Sequence, residues 1–177
     1  MILLVVDTQN SIVCDELYQF STFEKDVIKL LSIARENQTE VVYVRHDDRL
    51  DQTTDDQDLE IYAGFAPLEL DKIFVKNVNS PFRSSGLLEY LLEKEEKKIM
   101  VVGLMTEYCI DATIKCGFEH GFEMIVPFTC NSTFNNSHMS AEQTHVYYNN
   151  FIWNKRYAQV VTLEEAVRLL QMNAAKD

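Results

Sequence analysis

Residues 98–121 decide the fold, and they begin with the run Lys98-Ile99-Met100-Val101-Val102-Gly103. This run is short, almost wholly apolar and closed by glycine, as expected of a strand buried on both faces. The hydrophobic period then changes, and one helix face is marked by Ile110, Thr113, Ile114 and Gly117. His120-Gly121 suits the end of that helix. The stretch therefore predicts a buried strand followed by a helix.

Cys109 lies at the junction between the two predicted elements. In the first turn of a helix, free backbone N–H groups and the positive end of the helix dipole favour a thiolate. We therefore expect a lowered pKa for the Cys109 thiol and a nucleophilic role. The alternative is a packing role, because cysteine is among the most buried residue types.

Outward from this stretch, strand-like runs alternate with helix-period runs along the whole chain. The other predicted strands cover residues 1–6, 40–45, 72–76, 122–128 and 159–161. The other predicted helices cover residues 23–34, 87–95, 141–149 and 163–172, the last with a capping box at Thr162-Leu163-Glu164-Glu165. Residues 47–72 form a polar, acidic excursion of the kind that covers an active site. The pattern predicts an α/β fold: one domain, 1–177, with three α/β/α layers and a doubly wound, six-stranded, mostly parallel sheet.

Composition narrows the possible functions and locations. The 177 residues carry a formal net charge of −12, from 28 acids and 16 bases. Such a balance disfavours binding to nucleic acid or to an anionic membrane surface. The apolar start Met1-Ile2-Leu3-Leu4-Val5-Val6 lacks the features of a signal peptide, and no run has the roughly 18 apolar residues of a membrane span. Cys14, Cys109, Cys116 and Cys130 show no paired metal spacing, so we expect reduced thiols and a cytoplasmic protein.

Three ionisable residues stand at the predicted carboxyl ends of strands: Asp7, Lys76 and Cys109. A parallel sheet brings these ends to one edge, where ligands bind. Together they make chemical sense, since the ammonium stabilises a thiolate and the carboxylate accepts the thiol proton. Taken singly, Asp7 could instead cap a turn and Lys76 could be a solvated loop residue.

Four motifs along nearly the whole chain resemble those of the isochorismatase-like cysteine hydrolases, a family that includes nicotinamidases, N-carbamoylsarcosine amidohydrolases and streptothricin hydrolases. Leu3–Gln9 resembles the family's opening strand with its Asp-x-Gln motif. Arg45-His46 resembles the end of the family's second strand. Lys76 with Ser80-Pro81-Phe82 resembles the family's lysine and downstream Ser-Ala-Phe. Residues 103–113 are similar to Gly-x-x-Thr-Glu-x-Cys-Val-x-x-Thr.

This resemblance implies an Asp7, Lys76 and Cys109 triad that cleaves an amide, carbamoyl or lactam C–N bond through a thioester, with no cofactor. It also implies a cis peptide bond between Leu104 and Met105, and an oxyanion hole built from the backbone N–H groups of Met105 and Cys109. Members acting on the vinyl ether of isochorismate do not need the cysteine, so Cys109 favours C–N hydrolysis. Thr106 and Glu107 are expected to organise the turn.

No metal site is expected. Nicotinamidases of this family carry an aspartate and histidines after the second strand, whereas Arg45-His46-Asp47-Asp48-Arg49 is followed by no histidine until His120. A transition metal needs about three well-placed ligands. His46 is therefore predicted to be a hydrogen-bonded structural residue. Thr129 stands where the family often has an aspartate, and it can replace a hydrogen bond but not the charge.

The substrate pocket is predicted from aromatic residues on loops at the same edge, and its expected lining is Gln9, Phe82, Tyr62, Phe65 and Phe134, with Phe20 and Trp153 as further candidates. An aromatic wall without an arginine clamp favours a neutral or cationic, planar or lactam-like small molecule. The same aromatics could instead belong to the core or to a subunit interface. By resemblance, we expect a homodimer or homotetramer.

The sequence is also compatible with other functions. The chain could have isochorismatase-type or nicotinamidase activity, or it could be a catalytically silent binding module that kept the fold. A phosphoacceptor receiver domain also carries a strand-end aspartate and a lysine on a doubly wound sheet, but it needs a cluster of acids around Mg²⁺. Asp7 alone does not provide that cluster.

Overall fold

The computed structural model describes residues 1–47 and 56–173, and its centre is a seven-stranded sheet. The strands are β1 (Ile2–Val6), β2 (Glu40–His46), β3 (Lys72–Lys76), β4 (Lys98–Leu104), β5 (Glu123–Pro127), β6 (Asn131–Ser132) and β7 (Gln159–Val161). Their order is β3-β2-β1-β4-β5-β7, with β6 paired to β4, and every pairing between these strands is parallel. The doubly wound fold is thus confirmed, with one strand more than predicted.

Helices flank the sheet, as the alternating pattern predicts. They are α1 (Phe20–Glu36), α2 (Asp56–Leu59), α3 (Leu87–Glu93), α4 (Asp111–Glu119), α5 (Ala141–Val146) and α6 (Leu163–Asn173). π-Helical segments precede α4 at Thr106–Ile110 and follow α5 at Tyr147–Trp153. The predicted capping box of α6 is present, since Thr162 Oγ1 accepts from the N–H of Glu165 and the Glu165 carboxylate accepts from the N–H of Thr162. Within the described ranges, no helix is both long and apolar enough to span a bilayer.

The sheet separates two apolar cores because side chains alternate along β1. Leu3 and Val5 pack into the cluster beneath α1, together with Phe23 and Leu30. Residues of the opposite β1 face, including Leu4, pack into the cluster formed with α3 and α4. All five β1 residues are buried, which explains why the strand is apolar throughout.

The centre of the sheet is close-packed where β4 passes β1. Gly103 pairs in register with Val6 and has a φ of 127°. A Cβ on Gly103 would lie 2.0 Å from the backbone oxygen of Val6, so only glycine fits there. The sheet order also changes direction between these strands, and their carboxyl ends therefore open a crevice suited to a ligand.

Candidate active site

Asp7 and Lys76 reach the crevice from different strands. Asp7 follows the last residue of β1, and its φ of 49° is left-handed, a conformation that is uncommon outside glycine and is often found at functional sites. Lys76 ends the edge strand β3 and pairs in register with His46 of β2. Because β2 lies between β3 and β1, the Lys76 side chain crosses the end of β2 to meet Asp7.

Cys109 is presented by the turn that follows β4. The peptide bond between Leu104 and Met105 is cis. The chain then enters the π-helical segment Thr106–Ile110, in which the N–H of Ile110 donates to the carbonyl of Met105 at 3.2 Å. This segment continues directly into α4, whose buried face carries the predicted Thr113, Ile114 and Gly117.

Side chains behind the turn hold it in place. Thr106 Oγ1 donates to Asn131 Oδ1 at 2.8 Å, and Thr133 Oγ1 donates to the Glu107 carboxylate at 2.6 Å. Both acceptor–donor pairs link the turn to the segment around β6. Thr106 and Glu107 therefore organise the turn, as the sequence predicts.

The three strand-end residues meet at one buried ammonium group. Lys76 Nζ donates to Asp7 Oδ2 at 2.6 Å and to Cys109 Sγ at 3.3 Å. It also lies 2.9 Å from His46 Nδ1. Lys76 is 3% exposed and Asp7 is 2% exposed, so water screens this ion pair little.

The pKa of the Cys109 thiol differs from the value expected from the sequence. Burial raises the pKa of Cys109 to about 12; the Asp7 carboxylate adds to the rise and the Lys76 ammonium opposes it. Burial likewise raises the pKa of Asp7, against the opposing effect of Lys76. The expected lowering of the Cys109 pKa by the helix terminus is therefore wrong, because desolvation and a neighbouring carboxylate outweigh it. At rest, the site holds a thiol beside a carboxylate–ammonium pair.

The group also meets the geometric minimum for a metal site, but its centre is already filled. Ligand atoms of Asp7, His46 and Cys109 lie within 4.8 Å of one another. The Lys76 ammonium contacts these same three side chains. A metal cation would have to displace a buried ammonium of like charge, so the described residues do not fit a metal.

A cavity of about 400 Å³ opens onto this cluster. Its lining comprises Asp7, Gln9, Ser11, Ile12, His46, Leu59, Asn79, Leu104, Met105, Tyr108 and Cys109. The Cys109 thiol lies 3.8 Å from Asn79 Oδ1. Leu59 belongs to α2, so part of the predicted excursion at 47–72 borders the cavity; residues 48–55 of that excursion lie outside the described residues.

Of the five predicted pocket residues, Gln9 lines this cavity, whereas the four aromatics are not among its described lining residues. Phe65 is fully buried, edge-on to Phe23 and Tyr62, and the Tyr62 hydroxyl donates to Glu24. Phe82 stacks on Phe122. Among the described residues that line the cavity, none of the four predicted pocket aromatics is present, and Tyr108 is the aromatic found there.

The remaining aromatic candidates also pack against the cores. Phe134 and Phe20 pack against the core beneath α1. Trp153 is fully buried and donates its indole N–H to Asp111. The loop positions of these aromatics predict a pocket role, but their large apolar area is buried against the cores instead.

Gln9 lines the cavity but uses its amide on the backbone. Its amide nitrogen, Nε2, donates to the carbonyl of His46 at 2.9 Å, and its Oε1 accepts from the N–H of His46 at 2.7 Å. Gln9 therefore fastens the end of β2 to the loop after β1. The sequence did not predict several cavity residues, among them His46, Asn79, Ser11 and Tyr108. Tyr108 could have been predicted because it is the neighbour of Cys109 in the chain.

Comparison with known proteins identifies the class of protein. A family model of the isochorismatase domain matches residues 1–165. The chain belongs to the isochorismatase family and is a hydrolase of that family. It is 30% identical over 139 residues to the isochorismatase family protein YddQ of Bacillus subtilis, covering 74% of this chain and 77% of that protein.

Other relatives agree with this assignment. Nicotinamidase 3 of Arabidopsis thaliana is 27% identical over 154 residues, which cover 75% of this chain and 73% of that protein. The crystal structure of a cysteine hydrolase from Pseudomonas syringae pv. phaseolicola superposes with a TM-score of 0.87 at 24% identity, covering 97% of this chain and 92% of the other. A hydrolase of the isochorismatase family from Chromobacterium violaceum superposes with a TM-score of 0.87 at 19% identity, covering 96% of this chain and 92% of the other. The structural matches establish the shared fold.

Proposed function

We propose that this protein is a metal-independent cysteine hydrolase that cleaves the C–N bond of a small amide, carbamoyl compound or lactam through a thioester. The observation that carries the proposal is the contact of one buried ammonium, Lys76 Nζ, with both Asp7 and Cys109 at the wall of a cavity. Nucleophile, base and counter-charge are thus within reach of a bound molecule.

In the first half-reaction, Asp7 takes the proton of the Cys109 thiol, and the thiolate attacks the substrate carbonyl. A base is required because the pKa of Cys109 is raised to about 12, so little thiolate exists at neutral pH. The N–H groups of Met105 and Cys109 would stabilise the oxyanion, and both residues line the cavity. The protonated Asp7 then gives its proton to the departing nitrogen, and the C–N bond breaks to leave a thioester.

In the second half-reaction, Asp7 takes a proton from water, and the resulting hydroxide attacks the thioester. The C–S bond breaks, the acid product leaves, and the proton held by Asp7 returns to Sγ. Asp7 thus acts twice as base and twice as acid, which suits a carboxyl whose pKa burial raises above its usual range. Lys76 carries no proton through the cycle and supplies a fixed positive charge.

The choice of a C–N bond rests on two observations. Cys109 is present, and family members acting on a vinyl ether do not need it. In addition, the described cavity lining contains no arginine, and Lys76 already contacts three side chains, so no cationic side chain among those residues is left to bind a substrate carboxylate. An uncharged amide suits this lining better than an anionic ether.

The test is an ammonia-release screen over nicotinamide, pyrazinamide, carbamoyl compounds and lactams, with Cys109→Ala beside the unaltered protein. We expect turnover of at least one compound and its loss by more than about 10³-fold in Cys109→Ala, because the nucleophile is gone. Cys116→Ala is the matched control, since Cys116 is a free, half-buried thiol on α4. Turnover that survives Cys109→Ala would exclude the mechanism.

A further inference from the structure

The proposed triad leaves one N–H of Lys76 unexplained. An ammonium group has three donors and no acceptor. Two N–H groups serve Asp7 and Cys109, and the third points to His46 Nδ1 at 2.9 Å. Because the ammonium can only donate, Nδ1 must be the acceptor, which places the imidazole proton on Nε2. The ring therefore accepts a hydrogen bond from Lys76 through Nδ1.

The position of His46 follows from the sheet order. His46 ends β2, pairs in register with Lys76 of β3, and lies on the strand that separates Lys76 from Asp7. Its backbone is fixed from the other side by both amide atoms of Gln9. The Lys76 side chain must cross the end of β2 to reach Asp7, and the imidazole is the group held beside that path.

We infer that His46 is a positioning residue for the proposed reaction. Its Nδ1 accepts the third N–H of Lys76 and so fixes the ammonium between Asp7 and Cys109. The inference rests on the proposed function. A buried donor without a partner is costly, so without the imidazole the ammonium would turn toward another acceptor. One alternative is the second oxygen of Asp7, Oδ1, which has no hydrogen-bond partner among the described residues.

That rearrangement would weaken the contact with Cys109. The Lys76–Asp7 contact is short at 2.6 Å, whereas the Lys76–Cys109 contact is 3.3 Å. If Lys76 gives two N–H groups to Asp7, the thiol loses the positive charge that favours its ionised form. The same loss would leave the thiolate intermediate with less support and would slow the chemical step.

Two variants separate the acceptor from the bulk of the ring. His46→Leu fills much of the same volume but accepts no hydrogen bond. His46→Asn carries Oδ1 on the atom that corresponds to the one bearing Nδ1, so it can accept from Lys76. His138→Leu, at an exposed position, is the control for losing a histidine. The measurements are kcat and KM on the substrate found in the screen, and the rate at which iodoacetamide alkylates Cys109 at pH 8, read by peptide mass spectrometry with Cys116 as internal reference.

For His46→Leu we expect kcat to fall by about 10- to 100-fold, as expected when a buried charged donor loses a hydrogen-bond partner, with KM within about threefold. Alkylation of Cys109 should slow by at least about threefold, and His46→Asn should recover most of both losses. Unchanged kcat and alkylation in His46→Leu would overturn the inference, as would a His46→Asn variant as impaired as His46→Leu. The alkylation measurement needs no substrate, so it still tests the role of His46 if Cys109→Ala shows the proposed reaction to be wrong.

Discussion

Cys109 and Cys130 are two buried thiols of the same molecule, and a carboxylate acts on each. Burial raises the pKa of each, and each has a carboxylate that adds to the rise, Asp7 for Cys109 and Asp26 for Cys130. Both residues lie in short turns that follow strands of the sheet. A raised pKa is thus common to both sites, so it does not by itself mark a nucleophile.

The two sites differ in their cation and in their access. Cys109 contacts Lys76 and borders a cavity, whereas Cys130 is fully buried and its carboxylate, Asp26, accepts a hydrogen bond from the Thr129 hydroxyl at 2.5 Å. A thiol can be activated where a base, a fixed positive charge and space for substrate coincide. Among the described contacts, Cys130 has a possible base in Asp26 but neither a fixed positive charge nor space for substrate. Cys130 therefore serves as an internal control for Cys109.

The largest contrast should come from the two carboxylates. Asp7→Asn should lower turnover by more than about 10³-fold, because the proton acceptor is lost, whereas Asp26→Asn should leave turnover within about twofold. Alkylation of Cys109 should change in the opposite direction and become faster in Asp7→Asn. The carboxylate that raises the thiol pKa is gone while Lys76 remains, and the thiolate fraction rises about tenfold for each unit by which the pKa falls.

Steady-state turnover and iodoacetamide labelling at pH 8 check this pair of effects. A variant that is both inactive and slow to alkylate would mean that Asp7 assists alkylation as a proton acceptor, and that this effect outweighs the rise its charge causes in the pKa of Cys109. Equal loss of turnover in Asp26→Asn would remove the distinction between the two thiol sites.

Removing the cation tests what distinguishes the two sites energetically. Lys76→Met should lower the free energy of unfolding by about 3 kcal/mol, because it leaves the buried Asp7 carboxylate without its partner. Lys115→Met is the control: Lys115 pairs with Asp111 at 2.7 Å but is partly exposed, and its loss should cost less than about 1 kcal/mol. Urea unfolding at pH 7 provides both values.

The double variant Asp7→Asn with Lys76→Met should regain most of that stability, since no buried charge is left unpaired. Similar losses in Lys76→Met and Lys115→Met would show that the ammonium at the site contributes no more than a surface pair.

The smallest expected effect is the loss of unfolding free energy at alkaline pH that the two thiols cause. Both thiols have folded-state pKa values above the ordinary value of 9.0, so the folded protein keeps protons that the unfolded chain releases. Their contribution is complete below about pH 9 and is lost as the pH rises toward about 12 for Cys109. Between pH 9 and 10 each thiol should account for about 1 kcal/mol.

Unfolding free energies of Cys109→Ala and Cys130→Ala at pH 8, 9 and 10 measure these contributions. Each variant should lose about 1 kcal/mol less stability between pH 9 and 10 than the unaltered protein, and the two effects should be about equal because both folded-state thiols stay protonated over this range. Curves parallel to that of the unaltered protein would contradict the similarity on which the comparison is based.

Local patterns were enough to predict most of the fold. Apolar runs such as Ile2–Val6 predicted buried strands, and Thr162 with Glu165 predicted the start of α6. The two-residue strand β6 was missed because Asn131 and Ser132 have little tendency to form strands on their own. They are extended because they pair with Gly103 and Leu104 of β4.

The candidate site was predictable only in part. The strand-end rule selected Asp7, Lys76 and Cys109, but β2 was predicted to end at residue 45, and its actual last residue is His46. The boundary alone does not explain the omission of His46, since Asp7 also follows its predicted strand by one residue. His46 was interpreted as structural because no further histidine stands near it to complete a metal site. The aromatic pocket was wrong for another reason: loop position does not tell whether a ring such as Phe65 faces a cavity or the core.

The sequence by itself determined which residues could react and the sheet that would carry them, because hydrophobic period and strand-end chemistry are local properties written along the chain. Only the tertiary structure decided how those groups interact. Distances between Asp7, Lys76, His46 and Cys109 depend on the strand order β3-β2-β1-β4, and the raised pKa of Cys109 depends on burial and on a carboxylate 102 positions away in sequence. Desolvation and proximity arise only when distant segments pack, so no local pattern could reveal them.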